Sequence, residues 1–537
     1  MGTTKNPYAY DPFTHWEENQ ERKEYILGLM LEQGKLTKEE YNAAMAQEIV
    51  LATGTNSNAT IQTWFVDYVT DEVCRDLAEK QGITEAEAYQ NLIGGGYRIY
   101  TTCEERVQEI LEDYYSSPDN FPPVNNEEYP QSAFVITDTN GALKGIVGGN
   151  RGKEGNRIWN RASDTTRQIG STIKPIGAYA LGIEYGLVNW STMLNNSPLY
   201  QKRDMIIRDE DYCRKNGLMG LSDKQLRAYP NAWRSWPRNY GGNYGDHSDI
   251  PLWNGLARSL NTIAIRVGDL VGASNIFNFV YNTLQLNTLD PVNDVGLAQM
   301  VMGSQTHGVT PMALAAAFQI FYDGEYTPPH LYTRVLDRDG NIYLENNATS
   351  YQALTPDTAY VMNRLLKNVL YSSVGTAGGR YPNSNGMESF GKTGTASDEK
   401  DLWFVGGTPY YVTAVWWGYD APYDMTKTLG KQQAKTRTCV MAWKALMEQV
   451  QANLPYKAFP SSAGVVERRY CTQSGLLAGG SCPSTAVGYY RADDLPAACN
   501  YSHAAAPAAP AADAADAADA APEQTVIPAD TSNLDTE

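Results

Sequence analysis

Histidine is scarce in these 537 residues, at five (His15, His247, His307, His330 and His503), and no HExxH occurs. A zinc hydrolase built on that motif is therefore not expected. No CxxC pair exists among Cys74, Cys103, Cys213, Cys439, Cys471, Cys482 and Cys499, so zinc ribbons and thioredoxin-type sites drop out. Cys471, Cys482, Cys499 and His503 would in principle make a zinc site, but their spacings of ten and sixteen residues are loose. A disulfide or free buried thiols is the expectation there, and no metal is assigned. No apolar run approaches the ~18 residues of a membrane span. The start, Met-Gly-Thr-Thr-Lys-Asn-Pro, does not resemble a signal peptide. Basic residues are outnumbered, 43 Lys plus Arg against 61 Asp plus Glu, a net charge of −18 that argues against a phosphate-tracking nucleic-acid binder.

What remains is ample material for folding. Apolar residues make up 42% and charged residues 19%, and the length predicts about three to four domains. The expectation is a soluble, acidic, multidomain chain. Part of the acidity is local: residues 504–537 repeat Ala-Ala-Asp among alanines and prolines and contain no Lys or Arg. Such a segment has too few large apolar side chains to offset its ordering entropy, which predicts a disordered tail.

Along the chain, the pattern predicts two helices within 16–50. The first covers Glu21–Leu31 and is ended by Gly34; the second is opened by the capping box Thr37-Lys-Glu-Glu40. A mixed module spans 51–130, with a helix at 62–80, a break at Gly94–Gly96, a strand at Tyr97–Thr102 and a proline-bearing linker over Ser116–Pro130. From 131 to 455 the texture is α+β. Strands at Ala133–Thr137 and Leu143–Val147 flank an Asn140-Gly141 turn, and helical patterns follow at 172–185, 252–270, 310–322 and 355–371. Strands return at Ser389–Thr395, Leu402–Val405 and Tyr411–Gly418, before a helix near 437–452. Strands at both ends of a helical middle predict an antiparallel sheet closed by first and last segments. Residues 456–503 form a Gly- and Cys-bearing extension.

Three short patterns carry chemistry. Ser171-Thr-Ile-Lys174 opens a helical run, placing hydroxyl and amine one turn apart on one face. Pro175 fits only if Ser171 lies in the first turn, because proline lacks the N–H an interior position needs. Such a serine is a candidate activated nucleophile. Alone the pattern is weak, since Ser389-Phe-Gly-Lys392 and Ser397-Asp-Glu-Lys400 match it too. Ser259-Leu-Asn261 is unique and lies where one helical pattern yields to the next. Lys392-Thr393-Gly394, also unique, sits on a predicted strand followed by Thr395. Gly394 removes a side chain there, which would let a peptide lie alongside as an added strand.

In the order SxxK, SxN, KTG these elements are the signature shared by penicillin-binding proteins and related β-lactamases, here with SLN in place of SDN. The chain resembles class A (bifunctional) penicillin-binding proteins over roughly 130–503. The resemblance rests also on Asn160-Arg-Ala, Arg167–Pro175, Gly303–Ala317, Asp401–Pro409 and the Cys471, Cys482-Pro and Cys499 segments. Asn6–Pro12 and Arg22–Ala46 are similar to the final helices of that family's glycosyltransferase domain. Residues 1–50 are thus expected to be its C-terminal remnant, without the catalytic glutamates or anchor, so that no glycosyltransferase activity is expected. The organisation then reads 1–50 remnant, 51–130 linker module, 131–455 transpeptidase domain, 456–503 extension and 504–537 tail.

The resemblance implies a penicillin-binding-protein/β-lactamase-like α+β fold and a D,D-transpeptidase acting on peptidoglycan stem peptides ending in D-Ala-D-Ala, inhibited by β-lactams. Ser171 would be the nucleophile and Lys174 its base, held neutral by burial and by Lys392 as the neighbouring cation. Ser259 would relay the proton, Asn261 would hold the substrate amide, and Thr393, Gly394 and Thr395 would form the substrate strand. The backbone N–H groups of Ser171 and Thr395 would make the oxyanion hole. No cofactor, metal or nucleic-acid partner is implied. The implied location is the extracytoplasmic face of a bacterial membrane, reached through an anchor outside this sequence. Alternatives are a D-Ala-D-Ala carboxypeptidase, a β-lactamase (for which no Glu-x-x-Leu-Asn is found) and a non-enzymatic penicillin-binding scaffold or sensor.

Overall fold

The computed structural model describes residues 15–47, 61–122, 129–202, 205–207, 234–242, 247–382, 384–425 and 437–503, together with Tyr10, Pro12 and Lys427. The expected tail at 504–537 lies outside them, as do Cys213 and most of Asn6–Pro12. The chain divides into two compact units, 1–62 and 63–537.

The first unit holds helices α1 (Trp16–Glu32) and α2 (Lys38–Ala46). Gly34, at φ +67°, takes the left-handed position after α1, where a side chain would be strained. The Thr37 hydroxyl accepts from the Glu40 N–H at 3.2 Å, and Glu40 Oε2 accepts from the Thr37 N–H at 2.7 Å. That reciprocal pair is the capping box its sequence predicts.

The second unit begins with α3 (Trp64–Gln81), α4 (Glu85–Gly94), β1 (Arg98–Thr101) and α5 (Glu105–Ser116). Its centre is a five-stranded antiparallel sheet. β2 (Gln131–Asp138) and β3 (Leu143–Val147) form a hairpin, and the Asp138 carboxylate accepts from the N–H groups of Asn140 and Ala142 at 2.8 and 3.0 Å in its turn. A helical middle follows, including α6 (Asn261–Val271) and α7 (Pro311–Phe318). After it, β4 (Tyr332–Leu336) pairs with β1 and with β5 (Ile342–Glu345), so residues 98–101 and 332–345 share one small sheet.

Beyond α8 (Pro356–Tyr371), the chain returns to the centre as β6 (Phe390–Thr395), β7 (Asp401–Gly407) and β8 (Tyr411–Gly418). The strand order is β6-β7-β8-β2-β3, with β8 beside β2 in the register Phe134↔Val415. The last strand group therefore closes on the first, giving the expected α+β architecture. β7 and β8 are buried along their whole length, as central strands covered on both faces must be. Helices α7 and α9 (Arg437–Gln451) pack against them. β6 is left at an edge. The extension adds a hairpin of β9 (Val465–Cys471) and β10 (Thr485–Arg491).

Three expected helices are interrupted, the run at 310–322 only by a single turn residue, Gln319. The run at 172–185 is a single tight turn over Gly170–Thr172, a wide π-type turn over Pro175–Tyr179, then helix Ala180–Glu184. The run at 252–270 breaks between Ala257 and Asn261. The interruptions at 172–185 and 252–270 fall at the site.

Candidate active site

The approach to Ser171 is pinned from two sides. Arg167 exchanges backbone hydrogen bonds with Val309 at 3.1 and 3.0 Å, and the Gly170 N–H donates to Gly303 O at 3.2 Å. Trp403, on β7, donates its indole N–H to Gln168 O at 2.9 Å. Gly170, at φ +52°, stands so close to β6 that a Cβ there would lie 2.2 Å from Thr395 O and 2.9 Å from Thr395 N. The tight turn carrying Ser171 thus rests on the end of the KTG strand. Gly394 has the matching reason to lack a side chain: a Cβ would come within 2.7 Å of both Ile169 O and Thr172 Cγ2.

Ser259 reaches the site by an unusual backbone. The helix Leu252–Ala257 ends with Ser259 N–H donating to Leu256 O at 3.0 Å and Leu260 N–H donating to Gly255 O at 2.9 Å. That is a Schellman closure, whose left-handed position normally goes to glycine. Here it holds Ser259 at φ +57°. The strain directs the hydroxyl toward two lysines.

Lys174 and Lys392 are both fully buried. Lys174 Nζ donates to Asn261 Oδ1 at 2.6 Å and to Ser259 O at 2.8 Å, and it lies 3.4 Å from Ser259 Oγ. Lys392 Nζ donates to Ser259 Oγ and to Thr393 O, each at 2.8 Å. Burial, and then the charge of Lys392, hold the Lys174 amine well below its ordinary range. Burial alone pushes Lys392 down to about 7. Two ammonium groups sharing one hydroxyl cannot both stay charged, and the pair loses its first proton from Lys174.

Ser171, Ser259, Asn261, Thr393 and Thr395 line one cleft of about 1590 Å³. The residues that the resemblance assigns to catalysis and substrate binding lie in or directly beneath this cleft or, for Gly394, in the packing between its two walls. Three contributors carry no sequence signal. Asn239 accepts from the Asn261 N–H at 2.8 Å, Arg238 O accepts from Asn261 Nδ2 at 2.6 Å, and Thr376 Oγ1 lies 2.7 Å from Thr393 Oγ1. They come from loops far from any motif, and only the fold brings them near.

Residues 221–434 match the family described as the penicillin binding protein transpeptidase domain. The matched span contains the SxN and KTG elements, and the SxxK element precedes it. Penicillin-binding protein 1A of Clostridium tetani is 28% identical over 483 residues, covering 87% of this chain and 57% of that protein. Its counterpart in Clostridium acetobutylicum is 31% identical over 484 residues, covering 87% of this chain and 55% of that one. The chain thus spans about half the length of the curated relatives it matches. Among solved structures, penicillin-binding protein 1A of Haemophilus influenzae superposes with a TM-score of 0.60 at 20% identity, over 92% of this chain and 85% of that one. The PonA1 protein of Mycobacterium tuberculosis, in complex with penicillin V, gives 0.54 at 21% identity over 74% and 95%. These two likenesses speak to the fold.

Proposed function

This chain carries a penicillin-binding-protein transpeptidase domain, and from that premise we propose that it is a serine D,D-transpeptidase cross-linking peptidoglycan stem peptides. The observation that carries the reading is the convergence of Lys174, Ser259, Asn261 and Lys392 beneath the cleft that Ser171 lines.

Ser171 Oγ attacks the carbonyl carbon between the two terminal D-alanines, and neutral Lys174 takes the hydroxyl proton. The oxygen that becomes negative is held by the backbone N–H groups of Ser171 and Thr395, each contributing on the order of 3 kcal/mol. The close approach of Gly170 to Thr395 supports pairing those two donors. The C–N bond then breaks, and the proton on Lys174 passes through Ser259 Oγ to the leaving amine, releasing D-alanine. A second strand's amine attacks the ester and returns Ser171 to its hydroxyl form. Holding Lys174 neutral is where burial acts, and the charge of Lys392 adds to it.

Lys392, still protonated, sets a positive charge behind Thr393 and Thr395, whose hydroxyls receive the terminal carboxylate. Asn261 holds the substrate amide when its Nδ2 exchanges Arg238 O for the peptide. β6 is an edge strand, so the stem peptide can add alongside it. A β-lactam offers the same carboxylate and a strained amide and acylates the same serine. The work lies on the extracytoplasmic side, where such stem peptides are. Residues 1–50 are the end of a glycosyltransferase domain, 51–130 a linker module, 131–455 the catalytic domain and 456–503 its extension.

Fluorescent penicillin labelling followed by a stem-peptide cross-linking assay tests the reading. Ser171→Ala should abolish both signals with the fold intact. Labelling that persists, or that maps to Ser389 or Ser397, would overturn it.

A further inference from the structure

The extension brings three thiols and an imidazole to one point. Cys471 ends β9 and opens a tight turn in which the Gly475 N–H donates to Cys471 O at 2.8 Å. Gly475 lies at φ +74°, and a Cβ there would strike Ser191 O at 2.3 Å, so this turn is seated on the catalytic domain. Cys482 lies on a second turn, whose Gly479 N–H points at Cys482 Sγ from 3.3 Å. Cys499 is brought in by its own N–H donating to Leu477 O at 2.8 Å. His503 follows four residues later. The spacings that look loose in sequence are loops folded back along the β9–β10 hairpin.

The four ligand atoms all lie within 4.8 Å of one another. His503 Nε2 is 3.6 Å from Cys471 Sγ and 3.5 Å from Cys499 Sγ. A tetrahedral zinc site with bonds of about 2.0–2.3 Å has edges of about 3.5–3.8 Å. His503 Nδ1 lies 2.7 Å from Gln473 Oε1. That acceptor keeps the proton on Nδ1 and leaves the Nε2 lone pair facing the sulfurs, the outer-shell arrangement typical of a ligating histidine. The Cys482 sulfur accepts a backbone N–H, as a thiolate does. No disulfide joins these thiols, and any one pairing would leave the third thiol and the imidazole unused.

We propose that Cys471, Cys482, Cys499 and His503 bind one zinc ion. Four protein ligands close the coordination shell, so the ion is structural rather than catalytic, and three sulfurs with one nitrogen favour zinc over harder cations. Binding exchanges three S–H bonds for three Zn–S bonds and releases three protons, with no oxidant required. The ion clasps a hairpin that would be marginal alone. The clasped extension docks on the catalytic domain through Ser191, whose hydroxyl donates to Gly475 O at 2.6 Å, and through Trp253, whose indole N–H donates to Tyr470 OH at 2.8 Å.

The full chain, purified under reducing conditions with zinc supplied and then dialysed free of unbound metal, should retain about one zinc per chain by elemental analysis. Replacement by cobalt(II) should give the intense thiolate-to-cobalt charge-transfer bands of a tetrahedral site. Cys482→Ser and His503→Ala should each lose the ion or weaken its retention at least tenfold, while Cys103→Ser keeps it. Less than about one tenth of an equivalent in the unaltered chain would overturn the proposal. So would a mapped disulfide among the three cysteines, or a cobalt spectrum without charge-transfer bands. The last of these is read on the unaltered protein and does not depend on any variant folding.

Discussion

Lys174 and Lys392 meet at a single hydroxyl, their Nζ atoms 3.4 and 2.8 Å from Ser259 Oγ. The proposed chemistry needs them in opposite states, Lys174 neutral to accept a proton and Lys392 charged to attract a carboxylate. Burial lowers both, and the charge of Lys392 lowers Lys174 further, so the singly protonated pair is the working form.

The rate of acylation by a penicillin should therefore follow a bell in pH. It rises as the pair loses its first proton, which frees Lys174, and falls above about 7 as Lys392 loses the second. Lys392→Arg keeps its charge throughout this range, because a guanidinium titrates above ~12. Stopped-flow acylation of that variant should be slower at its best pH but should lack the alkaline fall near neutrality. A fall at the same pH in the variant would assign it to another group.

The left-handed backbone at Ser259 gives a second, separable expectation. Ser259→Ala and Ser259→Gly both delete the hydroxyl and should slow acylation by roughly 100-fold or more, in the range of a lost proton relay. Only glycine relieves φ +57°. The glycine variant should be more stable than the alanine variant by about 1 kcal/mol in urea melts. Equal stabilities would mean that the Schellman closure stores no strain.

How much of this was legible follows from the same residues. The three motifs, their order and the Asn140-Gly141 hairpin were readable because each depends on local residue types at fixed spacing. The α+β layout was readable from the strand texture at both ends. The break at Ser259 was only half readable: a change of helical pattern is visible there, but a left-handed serine carries no mark, where a glycine would have announced the stop. The Cys471–His503 cluster was obscured because its loops are closed by backbone bonds such as Cys499 N–H to Leu477 O, which no spacing rule encodes. Thr376 and Asn239 were out of reach because their partners are distant in sequence.

Gly394 has a packing reason to lack a side chain: the space is taken by Ile169 O and Thr172 Cγ2. Gly394→Ala should push the Ser171 turn away from β6. The expected cost is about 1–3 kcal/mol of stability, as for other overpacked positions. Acylation should slow even where the variant is fully folded, because the Ser171 and Thr395 N–H groups would no longer converge. A variant with unchanged melting and labelling rates would show that the turn absorbs the methyl group freely.

The lifetime of the acyl-enzyme separates a transpeptidase from a β-lactamase. Both acylate a serine through the same lysines, so labelling alone does not distinguish them. Deacylation does, because water reaching the ester must be activated by a base. Carboxylates line this cleft at Asp398, Glu399 and Asp424. Glu399 already accepts a hydrogen bond from Tyr240 OH at 2.6 Å, and Asp398 and Asp424 pair with Lys400 and Lys427 at 3.3 and 4.0 Å. With these carboxylates engaged elsewhere, the penicilloyl group should persist on Ser171 for many minutes. It should appear as an intact mass adduct on the peptide containing that residue. Rapid multiple-turnover hydrolysis of penicillin with no adduct trapped would favour the β-lactamase reading. Loss of that turnover in Glu399→Gln would then identify the base that the transpeptidase reading leaves out.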